Sequence, residues 1–280
     1  MIATALVAGL FSAIACTDIN SAPPETSVSS SVTELPPGEY HYPVNEAGPY
    51  TFVWSAARGI DVHSRAAELA RAYIESCQLS VFGGDAVYPG AADAAPPGTT
   101  DDVPSCLTPT KRPNGSTPAY YGTVYAHVFE LDSTDTSVTA RVCYTANGRA
   151  EVETGEPELD GLDAVETQFS ASLPAGERDP RADVDRTPTP GNGERAPRFD
   201  VFYPWKFDPK PWSGATTANR APRPSDDQCV RWSAENLSRI PSYSGQDPFT
   251  PEGYFAQLTP KLSGEKGFPT LPQTPAWPAR

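Results

Sequence analysis

Residues 61–84 read DVHSRAAELARAYIESCQLSVFGG, and this stretch decides the fold. Ala66, Ala70, Tyr73, Cys77 and Val81 recur every three or four positions, with Leu69 and Ile74 flanking them. That spacing is the period of one helix face. Arg65, Glu68, Arg71, Glu75 and Gln78 fall mainly on the other side and are expected in solvent. Asp61 or Ser64 can cap the first turn, because either side-chain oxygen accepts from the free N–H groups there. Gly83-Gly84 ends the helix, since glycine takes a positive φ without strain.

A hairpin is expected from Tyr120 to Tyr144. One arm is YYGTVYAHVFEL and the other SVTARVCY, joined by the turn-forming Asp132-Ser133-Thr134-Asp135. Val124, Ala126 and Val128 alternate with Tyr125, His127 and Phe129, so both faces of that arm carry apolar groups. Asn147-Gly148 is a tight-turn signal with a short strand over Ala150–Glu153 after it, and Val165–Leu173 reads as a further strand or a short amphipathic piece. Tyr50–Trp54 reads as a strand along the domain edge, Phe199–Trp205 as a strand with an aromatic end, and Cys229–Trp232 as a short strand or turn before a brief helix at Ser233–Ile240. The fold class is therefore α+β: one main helix packed on a curved antiparallel sheet, with long proline-rich disordered segments.

The 32 prolines among 280 residues are roughly twice the usual share. They divide the chain into a segment 1–15, a tether 16–49, a core in two parts at 50–173 and 198–240, an insertion 174–197, and a proline-rich C-terminal tail 241–280. The tether, insertion and tail are expected to be disordered.

Met1 to Cys16 reads MIATALVAGLFSAIAC, apolar and uncharged. A membrane-spanning helix needs about 20 apolar residues, so a run this short suits the apolar region of a signal peptide. Ala13-Ile14-Ala15 before Cys16 resembles the lipobox of bacterial lipoprotein signals, although that family usually has an aliphatic residue where Ala13 stands and a positive charge near its start. The resemblance implies cleavage before Cys16, a lipid on that cysteine, and a place on the extracytoplasmic face of the cell membrane; a plain secretory signal is the alternative. Without Cys16, four cysteines remain: Cys77, Cys106, Cys143 and Cys229. An even set in an exported chain suggests two disulfides, with three possible connectivities. Loop-closure entropy favours Cys77–Cys106 with Cys143–Cys229.

The formal charge of −14 repels nucleic acid and anionic head groups. Partners are expected to be the membrane through its lipid, and an envelope protein, glycan or lipid; nucleic acid is not expected. No phosphate-binding loop, dinucleotide fingerprint, zinc-protease motif or nucleophile elbow occurs, and no cofactor or metal site is implied. Of the three histidines, His41 lies in the tether, His63 in the first helical turn and His127 mid-strand. A half-buried structural histidine is the expectation for His127. Trp54, Tyr73, Tyr88, His127, Tyr203 and Trp205 are the residues expected to line a pocket or a docking surface, with YPWKFDPKPW (203–212) as a docking segment for glycan or protein. Core packing competes for the same aromatics.

WSAARGIDV (54–62), RAYIES (71–76) and VYPG (87–90) resemble a pattern in uncharacterised exported proteins of mycobacteria and related actinobacteria. Those proteins also tend to carry a proline-rich tail with a Trp-Pro near its end, as Trp277-Pro278 does here. The likeness covers residues 50–90 well and the remainder loosely. It implies a cell-envelope protein of unknown activity and supplies no catalytic residues. A helix before a bent antiparallel sheet is also similar, in topology alone, to the cone-shaped nuclear-transport-factor-2-like fold, which usually has two or three helices ahead of the sheet. Together these readings make the chain a non-catalytic binding or scaffolding lipoprotein, with a small-molecule-binding or hydrolytic domain as the alternative.

Overall fold

The structure is a computed structural model, and it describes residues 40–95, 118–156, 164–184, 193–208, 227–245, 247, 249–252 and 262–278. Cys16, Cys106, Trp212 and the 1–15 segment lie outside the described residues, as does the tether up to residue 39. Within them the fold is mixed α/β, with a mostly antiparallel sheet and few helices.

The sheet runs β1 (Thr51–Ala56), β2 (Tyr120–Ser133), β3 (Ser137–Thr145), β5 (Val165–Ser172) and β7 (Lys206–Phe207), with β4 (Arg149–Glu151) paired to the start of β2. The edge pair departs from the antiparallel expectation: β1 and β2 are parallel, in register from Thr51↔Thr123 to Ala56↔Val128. Parallel neighbours need a long crossover, and α2 (Arg65–Leu79) supplies it. Gly122 lets β2 leave β4 and join β1. Its φ is +101°, and a Cβ there would sit 2.2 Å from the Gly148 carbonyl oxygen, so only glycine fits.

Alternation along the strands sends the two sets of side chains to opposite layers. Phe52, Trp54, Val124, Ala126, Val128, Val142 and Phe169 meet Leu69, Ala70 and Ile74 of α2 in the main core. On the other face, Tyr125 packs with Leu237, Ile240, Tyr243 and Phe268. After the single turn α3 (Ala91–Ala94), the next helix in the chain is α4 (Gln228–Leu237), and Phe129 and Cys143 pack with its Cys229. A disulfide, Cys143–Cys229, ties α4 to β3 across a sequence separation of 86. Cys77 is also disulfide-bonded, and Cys106, the partner expected for it, lies outside the described residues.

Ser64 caps α2, accepting from the Ala67 N–H at 3.2 Å, while Asp61 instead accepts from the His63 N–H. The α-helix ends at Leu79, and one 3-10 turn carries the chain to Gly83, whose φ is +129°. The expected solvent face of α2 is a correction. Glu68, Arg71 and Glu75 are 2%, 3% and 0% exposed, because segments remote in sequence cover them. Two further strand readings fail for local reasons. At 199–205 the chain turns, since the Asp200 carboxylate accepts from the Phe202 and Tyr203 N–H groups and closes a turn on itself. Cys229–Trp232 belongs to α4, whose first turn is capped by Asp227 accepting from the Cys229 N–H at 2.7 Å.

Parts of the proline-rich segments are folded onto the core. From the tether, the Tyr40 hydroxyl donates to the Ala86 carbonyl, and a single turn, α1 (Val44–Ala47), leads into β1. From the insertion, Asp179 accepts from Arg65 at 2.7 Å. From the tail, residues 269–274 run along β1 and the start of β2. The Thr123 hydroxyl donates to Pro269, the Thr51 hydroxyl to Leu271, the Thr274 N–H to Phe52 and the Trp54 N–H to Thr274. A short pair, β6 (Gly193–Glu194) with β8 (Trp277–Pro278), closes over them.

Candidate functional site

The α2 crossover places Glu75 in the last turns of the helix, facing the returning tail. Its carboxylate is fully buried. Burying a charge is costly unless it is paired and hydrogen-bonded. Here one oxygen accepts from Trp54 Nε1 (2.8 Å) and the other from the Tyr88 hydroxyl (2.5 Å) and Trp277 Nε1 (3.1 Å). Gln273 Nε2 donates to both at 3.1 Å, while its Oε1 accepts from the Phe52 N–H. Burial and the neighbouring carboxylate push the Tyr88 hydroxyl well above its usual pKa, which keeps it a donor.

Two guanidiniums flank this carboxylate. Arg71 lies over the Trp277 ring, 4.6 Å from its centroid, and donates to the Val62 and Pro275 carbonyls. Burial lowers its pKa, opposed by Glu75 and Glu68. Arg195, just after β6, comes within 3.9 Å of Glu75 and donates to the Tyr50 carbonyl (2.8 Å) and the Tyr88 hydroxyl (3.3 Å). Its guanidinium sits 4.2 Å from the Tyr42 ring centroid, a cation–π distance. Burial opposes its charge, and Tyr88, Tyr42 and Glu75 outweigh that, so its pKa is raised.

Outside Arg195 the surface is concave. A cleft of about 150 Å³ opens between residues 40–42 and 194–198, lined by Tyr40, His41, Tyr42, Glu194, Arg195 and Arg198. Arg198 pairs with Glu194 at 3.2 Å on the rim. A second recess beside Arg71 and Trp277 is only about 10 Å³, room for one water at most.

The structure separates the six residues singled out in the sequence. Trp54 and Tyr88 meet at Glu75. Tyr73 packs against Phe169 and Phe207, at 5.2 and 5.0 Å between ring centroids. Trp205 is buried and donates to Asp179 at 3.0 Å. Tyr203 is 61% exposed, and the docking segment beyond residue 208 lies outside the described residues. His127 is on the opposite face of the sheet. Its Nδ1 is 2.7 Å from the Ser55 hydroxyl, and its ring lies between Phe129 and Trp232. Burial lowers its pKa, so it is neutral near pH 7. The six therefore do not share one site: Trp54 and Tyr88 meet at Glu75, Tyr73 and Trp205 pack in the core, Tyr203 is exposed, and His127 lies beside Ser55.

Glu75, Arg195, Gln273 and Trp277 were not singled out as site residues. Glu75 sits at helical spacing from Arg71 and Glu68, which reads equally well as a solvated stripe. The one available signal was the tail itself: an amide, a tryptophan and several prolines are unusual content for a solvated end. The cleft can hold a small polar ligand against cationic and aromatic walls. No family model matches the chain, and neither do curated proteins or solved structures.

Proposed function

We propose that the chain is a non-catalytic binding protein of the cell envelope, held at the extracytoplasmic face of the membrane by a lipid on Cys16. The observation that carries this reading is the Cys143–Cys229 disulfide joining β3 to α4. Such bonds persist in oxidising compartments. Cys77 is disulfide-bonded as well, and pairing it with Cys106 would leave Cys16 alone available for lipid. The apolar Met1–Ala15 run before Cys16 supports the same reading. The cleft beside Arg195 supports a binding role. Among the described residues, no helix is long and apolar enough to cross a membrane.

Fractionation of cells expressing the full chain tests the anchor. The wild-type chain is expected with the membrane, and Cys16→Ser in the soluble extracellular fraction. Membrane retention of Cys16→Ser would overturn the anchor. A hydrolytic reading has one observation in its favour, the Ser55–His127 contact at 2.7 Å. Covalent labelling of Ser55 by a fluorophosphonate, lost in His127→Gln, would favour it over the binding role.

A further inference from the structure

We infer that the cleft between residues 40–42 and 194–198 binds a small oxyanion, a carboxylate or phosphate group. This deepens the binding reading above and is independent of how the chain is anchored. In a chain of net charge −14, an electropositive recess is unexpected and needs a local cause. That cause lies beneath the cleft. Arg71 and Arg195 flank the single carboxylate of Glu75, so this buried group carries one positive charge in excess among the described residues. Glu68, the other acid near Arg71, is bound to Arg65 and Arg181. Low-dielectric walls focus such a field into the nearest opening. Two openings adjoin this group: the recess beside Arg71 has room for one water at most, and the cleft, lined by Arg195 itself, is the one large enough for a ligand.

The lining chemistry points the same way. Arg198 and His41 stand with Arg195 around the cleft, with Glu194 as the acidic counterweight. The tyrosine hydroxyls are turned to the protein, Tyr40 donating to the Ala86 carbonyl and Tyr42 lying 3.5 Å from the Tyr50 carbonyl, so ring surface faces the cationic group. Arg195 retains one donor, at Nη2, that is buried without an acceptor. An oxyanion is the ligand that provides acceptors to guanidinium groups in a forked geometry. A volume of about 150 Å³ suits a phosphate or a small carboxylic acid and excludes a long polymer.

The test is a titration of the purified full-length chain with inorganic phosphate and, separately, with acetate. Ionic strength is held constant with sodium chloride, and the thermal midpoint and heat of binding are read. At least one of the two is expected to bind saturably. A phosphate-only response identifies phosphate chemistry, and an acetate-only response carboxylate chemistry. Arg198→Gln should weaken binding about tenfold, the loss of one charge-assisted contact. Glu194→Gln should tighten it, because the substitution removes the one carboxylate that lines the cleft and would repel the anion. Absence of a saturable response to either anion overturns the proposal, as does an equal response in wild type and Arg198→Gln. Neither outcome alters the fractionation result for Cys16, so the two readings fail separately.

Discussion

At Glu75, two oxygens face hydrogens from Trp54, Tyr88, Gln273 and Trp277. Every partner is a donor, so the site tolerates only an acceptor. Glu75→Gln keeps the volume but turns one acceptor into a donor. It is expected to destabilise the chain by about 1–3 kcal/mol for each hydrogen left without an acceptor, read as a lower urea midpoint. His127 gives a pH dependence with a definite sign. Burial holds its folded-state pKa below 6.5, so the unfolded chain binds the proton more readily. Its contribution is therefore complete above the ordinary histidine range and declines as pH falls through that range towards the folded value. Unfolding midpoints between pH 7.5 and pH 5 should slope less steeply in His127→Gln. The half-buried place of His127 on β2 was legible from its alternating neighbours, whereas the dry environment of Glu75 was not. Glu68, Arg71 and Glu75 have the spacing of a wet stripe, and what keeps them dry is encoded far away.

Elements defined by short-range chemistry were the readable ones. The α2 cap at Ser64, its end before Gly83, and the turn that joins β2 to β3 all rest on residues a few positions apart. Phe199–Trp205 misled because aromatics favour strands, whereas a single carboxylate at Asp200 bends the backbone first. Cys229–Trp232 misled for a similar reason: its cap, Asp227, lies outside the apolar run. The strap formed by residues 269–274 had no periodicity to announce it, because it replaces a strand with side-chain and backbone contacts to an edge. Gln273 is its pivot, joining the Phe52 N–H to Glu75. Gln273→Ala should cost about 1–3 kcal/mol and speed hydrogen exchange at the Phe52 and Trp54 amides well before that at β3. Uniform exchange across the sheet would show that the strap does not protect the edge.

Across the whole molecule, the Cys143–Cys229 bond closes a loop with a sequence separation of 86. Loop-closure entropy assigns such a link about 4–5 kcal/mol, so reductant should lower the thermal midpoint strongly. Without reductant, alkylation should leave Cys143 and Cys229 unlabelled; modification of either would remove the bond from the native protein. The strap also sets a schedule. Trp277 reaches Glu75 across 202 positions, and Leu271 reaches Thr51 across 220. A growing chain emerges from its first residue onward, so β1 and α2 are made long before the groups that satisfy them. Until residue 277 arrives, Glu75 has no dry place to be, and contacts this distant in sequence form slowly. The polypeptide is thus kept from maturing while it is still being synthesised: the interior of α2 closes only when the last described residues are in place.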